Sequence, residues 1–304
     1  MAVEERLRPS FDALLPPEVA AACERVGVSK AGLDWISTLV LAGLAGAFIS
    51  LGAMLFTVTV TASELGYGPT RLLGGVAFSL GLVLVVIAGA ELFTGNTLIV
   101  MAWASRKVST PLLLRNWGLV YAGNFAGALM TVLLVYFSKQ WAFNGSEIGA
   151  TAVKIANAKV NLEFGQAVAL GILCNALVTL AVWLALSGRS IIDKILAIVF
   201  PITAFVAAGF EHSIANMYFI PMGLLLRDEP SVRQAAGVTS DQLTNLTWGD
   251  FFLSNLLPVT IGNLIGGGLL VGAVYWFVYR RPGRPAPAQD GARPKAGAAR
   301  ARRG

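Results

Sequence analysis

Between Ile195 and Leu226 the chain contains no Lys, Arg or Asp, and Glu211 and His212 are the only ionisable side chains in the run. A stretch this long and apolar can cross a bilayer, whose hydrocarbon core takes about 20 helical residues. An ionisable group inside it costs about 2.5–3.5 kcal/mol on insertion scales, so such residues face a cavity or a partner and mark a pathway. His212 is also the one histidine of the chain. A second run, Leu72 to Met101, has Glu91 as its sole charge. At 1.5 Å per residue an unbroken helix over it would overrun the ~30 Å core, so it must tilt or break. Gly89, Thr94, Gly95 and Asn96 supply permissive backbone and local hydrogen-bonding groups. They predict a loop at ELFTGN, which membrane depth tolerates only where backbone is buried in protein or lines water.

With 56% hydrophobic and 13% charged residues, against about 25% charged in soluble domains, the chain is an integral membrane protein. Its 304 residues leave little beyond the spans, which argues against a large soluble catalytic domain, and 33 glycines suit close helix packing in lipid. Six crossings are predicted: Trp35 to about Thr61, Leu72 to Met101, Trp117 to Tyr136, Phe164 to Leu186, the His212 run interrupted over Gly209–Asn216 and ended near Pro221, and Phe251 to Tyr279. Residues 1–34 form a cytoplasmic leader without the continuous apolar core of a signal peptide. In it, Pro16 and Pro17 open an amphipathic helix with Val19, Ala22, Cys23 and Val26 on one face, expected to lie along the membrane surface. Ser138 to Glu163 and Arg227 to Asp250 read as polar connections. Residues 281–304, basic and rich in Pro, Gly and Ala, read as a disordered cytoplasmic tail, able to touch anionic lipid. Cys23 and Cys174 fall in the leader and a span, which argues against a disulfide between them.

Placing both termini in the cytoplasm puts 17 of the 23 Lys and Arg on that side and 6 outside, in keeping with the positive-inside rule. The two charged runs also match each other. GAELFTGN and GFEHSIAN place Glu91 and Glu211 120 residues apart, each followed five residues on by Asn96 or Asn216. NWGLVYAGNFAG, from Asn116, and NLLPVTIGNLIG, from Asn255, match at a spacing of 139. Two matched pairs in the same order divide the channel region, 35–280, into repeats over about 35–137 and 164–280. Three spans in each half turn the second upside down, a plan that places substrate at broken helices near the midplane.

GAELFTGN, NWGLVYAGN, GFEHSIANMYFIPMG and NLLPVTIGNLIGGGLLVG resemble the signature segments of the formate/nitrite transporter family, in order and spacing over about residues 10 to 280. The resemblance implies an all-α, aquaporin-like fold with broken second and fifth helices. It also implies a homopentamer in the inner membrane, and formate, nitrite or a similar small monovalent anion as substrate. The family's central histidine corresponds to His212, its loop threonine to Thr94, its fourth-span asparagine to Asn175 and its outer lysine to Lys159. Its constriction corresponds to Phe78, Leu82, Leu92, Phe93 and Phe205. GAELFTGN is shared with nitrite- and hydrosulfide-type members, whereas the fifth- and sixth-span segments look more like formate members.

An anion in a narrow apolar pore loses hydration worth roughly tens of kcal/mol in the low-dielectric limit, whereas its conjugate acid carries no charge. Imidazole, with an ordinary pKa of about 6.5, suits His212 to attract or protonate a weak-acid anion there, with Thr94 and Asn175 as hydrogen-bonding partners and proton coupling as a consequence. Helix ends at the two breaks add partial positive charge. Glu91 and Glu211 are expected to accept hydrogen bonds from the broken backbone, with Asn96 and Asn216 in support, because an anion pore does not line its axis with carboxylates. Asn116, Asn124, Asn255 and Asn263 are expected to join helices. A water or glycerol channel lacks support, since paired Asn-Pro-Ala loops are absent. A membrane-embedded enzyme built on Glu211, His212 and Ser213 lacks a second histidine and a metal-ligand cluster. The sequence implies no cofactor, no metal, no nucleic-acid partner and, in the absence of a phosphate-binding loop, no ATP-driven step.

Overall fold

The computed structural model describes residues 13–282, so the basic tail beyond 282 lies outside the described residues. Helix α1, Pro16–Ala31, precedes α2, Trp35–Val60, whose first turn is capped by Asp34 Oδ1 accepting from the Ile36 and Ser37 amides at 3.0 Å. Then come α3 (Tyr67–Ala88), α4 (Phe93–Ala104), α5 (Thr110–Phe137), α6 (Glu147–Val160) and α7 (Phe164–Ser187). They are followed by α8 (Ile191–Ala208), α9 (Ser213–Leu226), the short α10 (Pro230–Ala236) and α11 over 248–279, which winds more widely over Phe251–Leu256 and Leu264–Ala273. Six helices are long and apolar enough to cross a membrane: α2, α3, α5, α7, α8 and α11. The half-length α4 and α9 complete the second and fifth crossings.

Both breaks are shorter than the sequence implies. Each long helix stops at a left-handed glycine, Gly89 (φ 83°) or Gly209 (φ 77°), a conformation that β-carbons resist. Only three residues then run extended before α4 or α9 begins, so FTGN and SIAN are helical and Pro221 lies inside α9. The polar connection after α5 also contains a helix, α6, that buries Ile148, Val153, Ala156 and Val160 at helical spacing. Helix α1 does not spend its apolar face on lipid. Val19 and Cys23 join a core with Leu98, Met101, Trp183 and Val271, while Val26 stays exposed.

Backbone contact between helices α2 and α5, and between α7 and α11, is as close as glycine permits. A β-carbon at Gly127 would lie 1.9 Å from the Gly43 carbonyl oxygen, and one at Gly266 would lie 2.1 Å from that of Ile172. Since the clashing atoms are backbone, whole helices must separate. Gly127→Ala and Gly266→Ala are each expected to cost about 1–3 kcal/mol, the range for overpacked cores. Thermal unfolding in detergent reads this as a lowered Tm.

Glu24 fastens α1 to the rest. Its Oε2 accepts from Lys107 Nζ at 2.8 Å and from Arg280 Nη2 at 2.7 Å, joining α1 to the turn after α4 and to the end of α11. Burial pushes this carboxyl up, but hydrogen bonds from Lys107, Ser105 and Arg280 outweigh burial and hold it below its ordinary 4.5. A lowered folded-state pKa adds stability that is fully present above 4.5 and is lost as pH falls through the folded value. Docking of α1 is therefore expected to be unchanged from neutral pH down to about pH 5 and to weaken only below 4.5. Hydrogen exchange of residues 16–31 against pH checks this, and protection lost already near pH 6 would contradict it.

Candidate functional site

The two half-helices meet N-terminus to N-terminus. Thr94, in the first turn of α4, places its Oγ1 3.0 Å from His212 Nε2, at the N-cap of α9, and both side chains are buried. His212 Nδ1 accepts the Ala215 amide at 3.0 Å. A nitrogen accepting a backbone N–H carries no proton, so the neutral ring has its proton on Nε2 and donates it to Thr94 Oγ1. The Thr94 hydroxyl proton is then available to a substrate oxygen. Both helix N-termini turn their positive ends toward this point.

Cavities open on either side. One, of about 310 Å³, lies on the face bearing α1 and is lined by Lys30, Leu82, Glu91 and Leu92 among others. The other, of about 200 Å³, lies on the opposite face and is lined by Arg71, Phe78, Lys159, Phe205, His212 and Phe219 among others. They share no lining residue, so side chains fill the waist between them. Phe78 meets Phe205 edge-on at 5.7 Å between centroids, and the Phe205 ring stacks over His212 at 5.9 Å. Leu82 and Leu92 close the waist from the α1 side. Phe93 lines neither cavity: its ring packs on Tyr121 at 4.8 Å and on Trp117 at 6.4 Å, away from the other aromatic residues of the waist.

The polar residues form two copies of one network. Glu91 accepts from Lys30 Nζ at 2.6 Å and Asn96 Nδ2 at 2.7 Å, and Asn96 Nδ2 also reaches Asn116 Oδ1 at 3.0 Å. In the second copy Glu211 accepts from Lys159 at 2.6 Å and Asn216 at 2.7 Å, and Asn216 reaches Asn255 at 2.7 Å. The glutamates therefore take side-chain donors, not the broken backbone. The leading amides of the half-helices go instead to the asparagines: Phe93 N–H to Asn124 Oδ1 and Ser213 N–H to Asn263 Oδ1, each at 2.9 Å. Asn124 and Asn263 also donate to the carbonyls of Glu91 and Glu211, at 2.9 and 3.0 Å.

Lys30 and Lys159 are twins, 129 residues apart, on α1 and α6. The repeat thus reaches beyond 35–137 and 164–280 to include the leader helix and the helix before the fourth span. Lys30 was not legible as part of the repeat, because it lies outside the apolar runs that carry the matched pairs. The copies differ at the waist, where Leu92 is the twin of His212. Asn175 stands where the first copy has Gly46, and its Nδ2 donates to Asn263 O at 2.6 Å and to Thr94 O at 3.3 Å, while its Oδ1 is buried without a partner. It positions α4 and does not touch the imidazole. Cys23 and Cys174 are both free and buried.

Two inverted copies, half-helices meeting at a hydrogen-bonded pair, and a cavity at each mouth define a membrane channel with a selective waist. The chain belongs to the formate/nitrite transporter family, whose model matches residues 17–277. It is 46% identical over 274 residues to the formate channel FocA of Escherichia coli strain K12, covering 89% of this chain and 96% of that one. It is 38% identical to FocA of Haemophilus influenzae, over 88% of this chain and 95% of that protein. Among solved structures, a pentameric formate channel with formate bound superposes with a TM-score of 0.76 at 42% identity, over 81% of this chain and 98% of that chain. The protein is an anion channel of this family and not an enzyme.

Proposed function

We propose that the protein passes formate and similar small monovalent weak-acid anions across the inner membrane, as a homopentamer with both termini cytoplasmic. The excess of Lys and Arg that the sequence puts on the cytoplasmic side in this topology supports that orientation, and the names of the relatives support substrate and assembly. The observation that carries the reading is the 3.0 Å contact of His212 Nε2 with Thr94 Oγ1, at the waist between two cavities and between two helix N-termini.

In this reading, an anion arriving at the waist exchanges water for the Thr94 hydroxyl, which His212 Nε2–H polarises from behind. Helix N-termini add positive charge without adding a titrating group. Protonation of the anion by His212 fits less well than hydrogen bonding. A doubly protonated ring would aim Nδ1–H at the Ala215 N–H, setting donor against donor and uncapping α9. Glu211 and Lys159 hold the break, and Asn175 holds α4.

Uptake of labelled formate into proteoliposomes tests the proposal, with nitrite and hydrosulfide alongside. Wild type is expected to pass formate well above empty vesicles. Thr94→Val is expected to lower uptake by about 10- to 100-fold, since a hydrogen bond to a charged group contributes about 1.5–3 kcal/mol. Formate uptake no faster than through empty vesicles would end the proposal, whatever the other anions do.

A further inference from the structure

Every charged group lining the outer cavity has a twin in the inner one except Arg71. Lys159 answers Lys30 and Glu211 answers Glu91, and each lysine is paired at 2.6 Å with its glutamate. Those pairs cancel. The position equivalent to Arg71, 120 residues on, is the exposed Ile191. Among the described residues Arg71 forms no ion pair: its Nε donates to Ala207 O at 3.3 Å, its Nη2 donates to Val206 O, and its Cζ lies 5.5 Å from the centre of the Phe56 ring. Carbonyls and an aromatic face hold a guanidinium without neutralising it. The outer cavity wall carries a net charge of +1 from Arg71, Lys159 and Glu211, whereas the inner wall, with Lys30 and Glu91, is neutral.

We propose that Arg71, not Lys159, concentrates anions at the outer mouth, and that the channel rectifies because the repeat supplies no second copy. This rests on the anion-channel reading above. Arg71 is also a positioning residue, since its carbonyl partners, Val206 and Ala207, directly follow Phe205 of the constriction in the last turn of α8, before Gly209. By Coulomb's law a unit charge acting over roughly 10 Å, in a medium between bulk water and half its dielectric constant, raises the local anion concentration by roughly two- to fourfold. Salt shortens the reach of this field, so the effect belongs to low ionic strength.

Formate currents through single reconstituted pentamers, in symmetric solutions at equal and opposite voltages, test the inference. Wild type is expected to show a current ratio of about two to four at low ionic strength, falling toward one in high salt. Arg71→Lys should keep the ratio and Arg71→Gln should lose it. Ala158→Asp adds a carboxylate to the same cavity and leaves the Arg71 contacts in place, so it should lose the ratio too, which covers the case in which Arg71→Gln does not assemble. A symmetric wild type, or a ratio that survives either Arg71→Gln or Ala158→Asp, overturns the inference and leaves the channel reading standing. Absence of any formate current through wild type would overturn both.

Discussion

Glu211→Ala is expected to destabilise the protein by about 3–5 kcal/mol, the range for breaking a buried ion pair from one side. Lys159, whose side chain is 15% exposed, would lose its partner, and Asn216 and Asn255 would lose an acceptor. Formate flux should fall with stability, because Glu211 lies next to His212 and its loss frees the break. Removing both charges, in Lys159→Met with Glu211→Gln, should recover much of the stability, so that the two losses are far from additive. The twin pair is the internal comparison: Glu91→Ala should cost less, because Lys30 is 27% exposed and keeps some hydration. Thermal unfolding of detergent-solubilised protein gives all three losses, and a double variant that loses as much stability as Glu211→Ala, or more, would contradict this account of the pair.

His212→Asn separates the two jobs of the imidazole. Asparagine is a good N-cap, so it can replace Nδ1 as acceptor for the first turn of α9 and leave stability within about 1 kcal/mol. It is too short to keep the Nε2 contact with Thr94. Formate flux is therefore expected to fall about 10- to 100-fold in a folded protein, the worth of a lost hydrogen bond to charge. His212→Ala should lose flux and stability together. Unchanged flux in a folded His212→Asn protein would remove the waist from the account.

The spans were legible because a bilayer imposes a length that an apolar run either meets or fails to meet. The matched breaks were legible because Glu91 and Glu211 are costly in that setting. Three features were not. The length of each break depends on Asn124 and Asn263, which cap half-helices tens of residues away in sequence, so Gly95 and Asn96 read as loop although they are helical. Helix α6 shows its 3.6-residue period, but its Ala and Lys content hides it beside the more apolar spans. The roles of Lys30 and Arg71 depend on which carboxylate or carbonyl the fold brings near. For His212 the sequence supplies the residue type, whereas the tautomer follows from the Ala215 amide, a contact that exists only once α9 has formed.

Because the chain has one histidine, its imidazole can be observed without assignment. Nitrogen-15 NMR of ring-labelled protein in lipid, with and without formate, reads both nitrogens directly. The account predicts an unprotonated Nδ1 and a protonated Nε2 at every pH at which formate is transported, with the Nε2 signal moving when formate is added. A doubly protonated ring under transport conditions, or an Nε2 signal indifferent to formate, would contradict it.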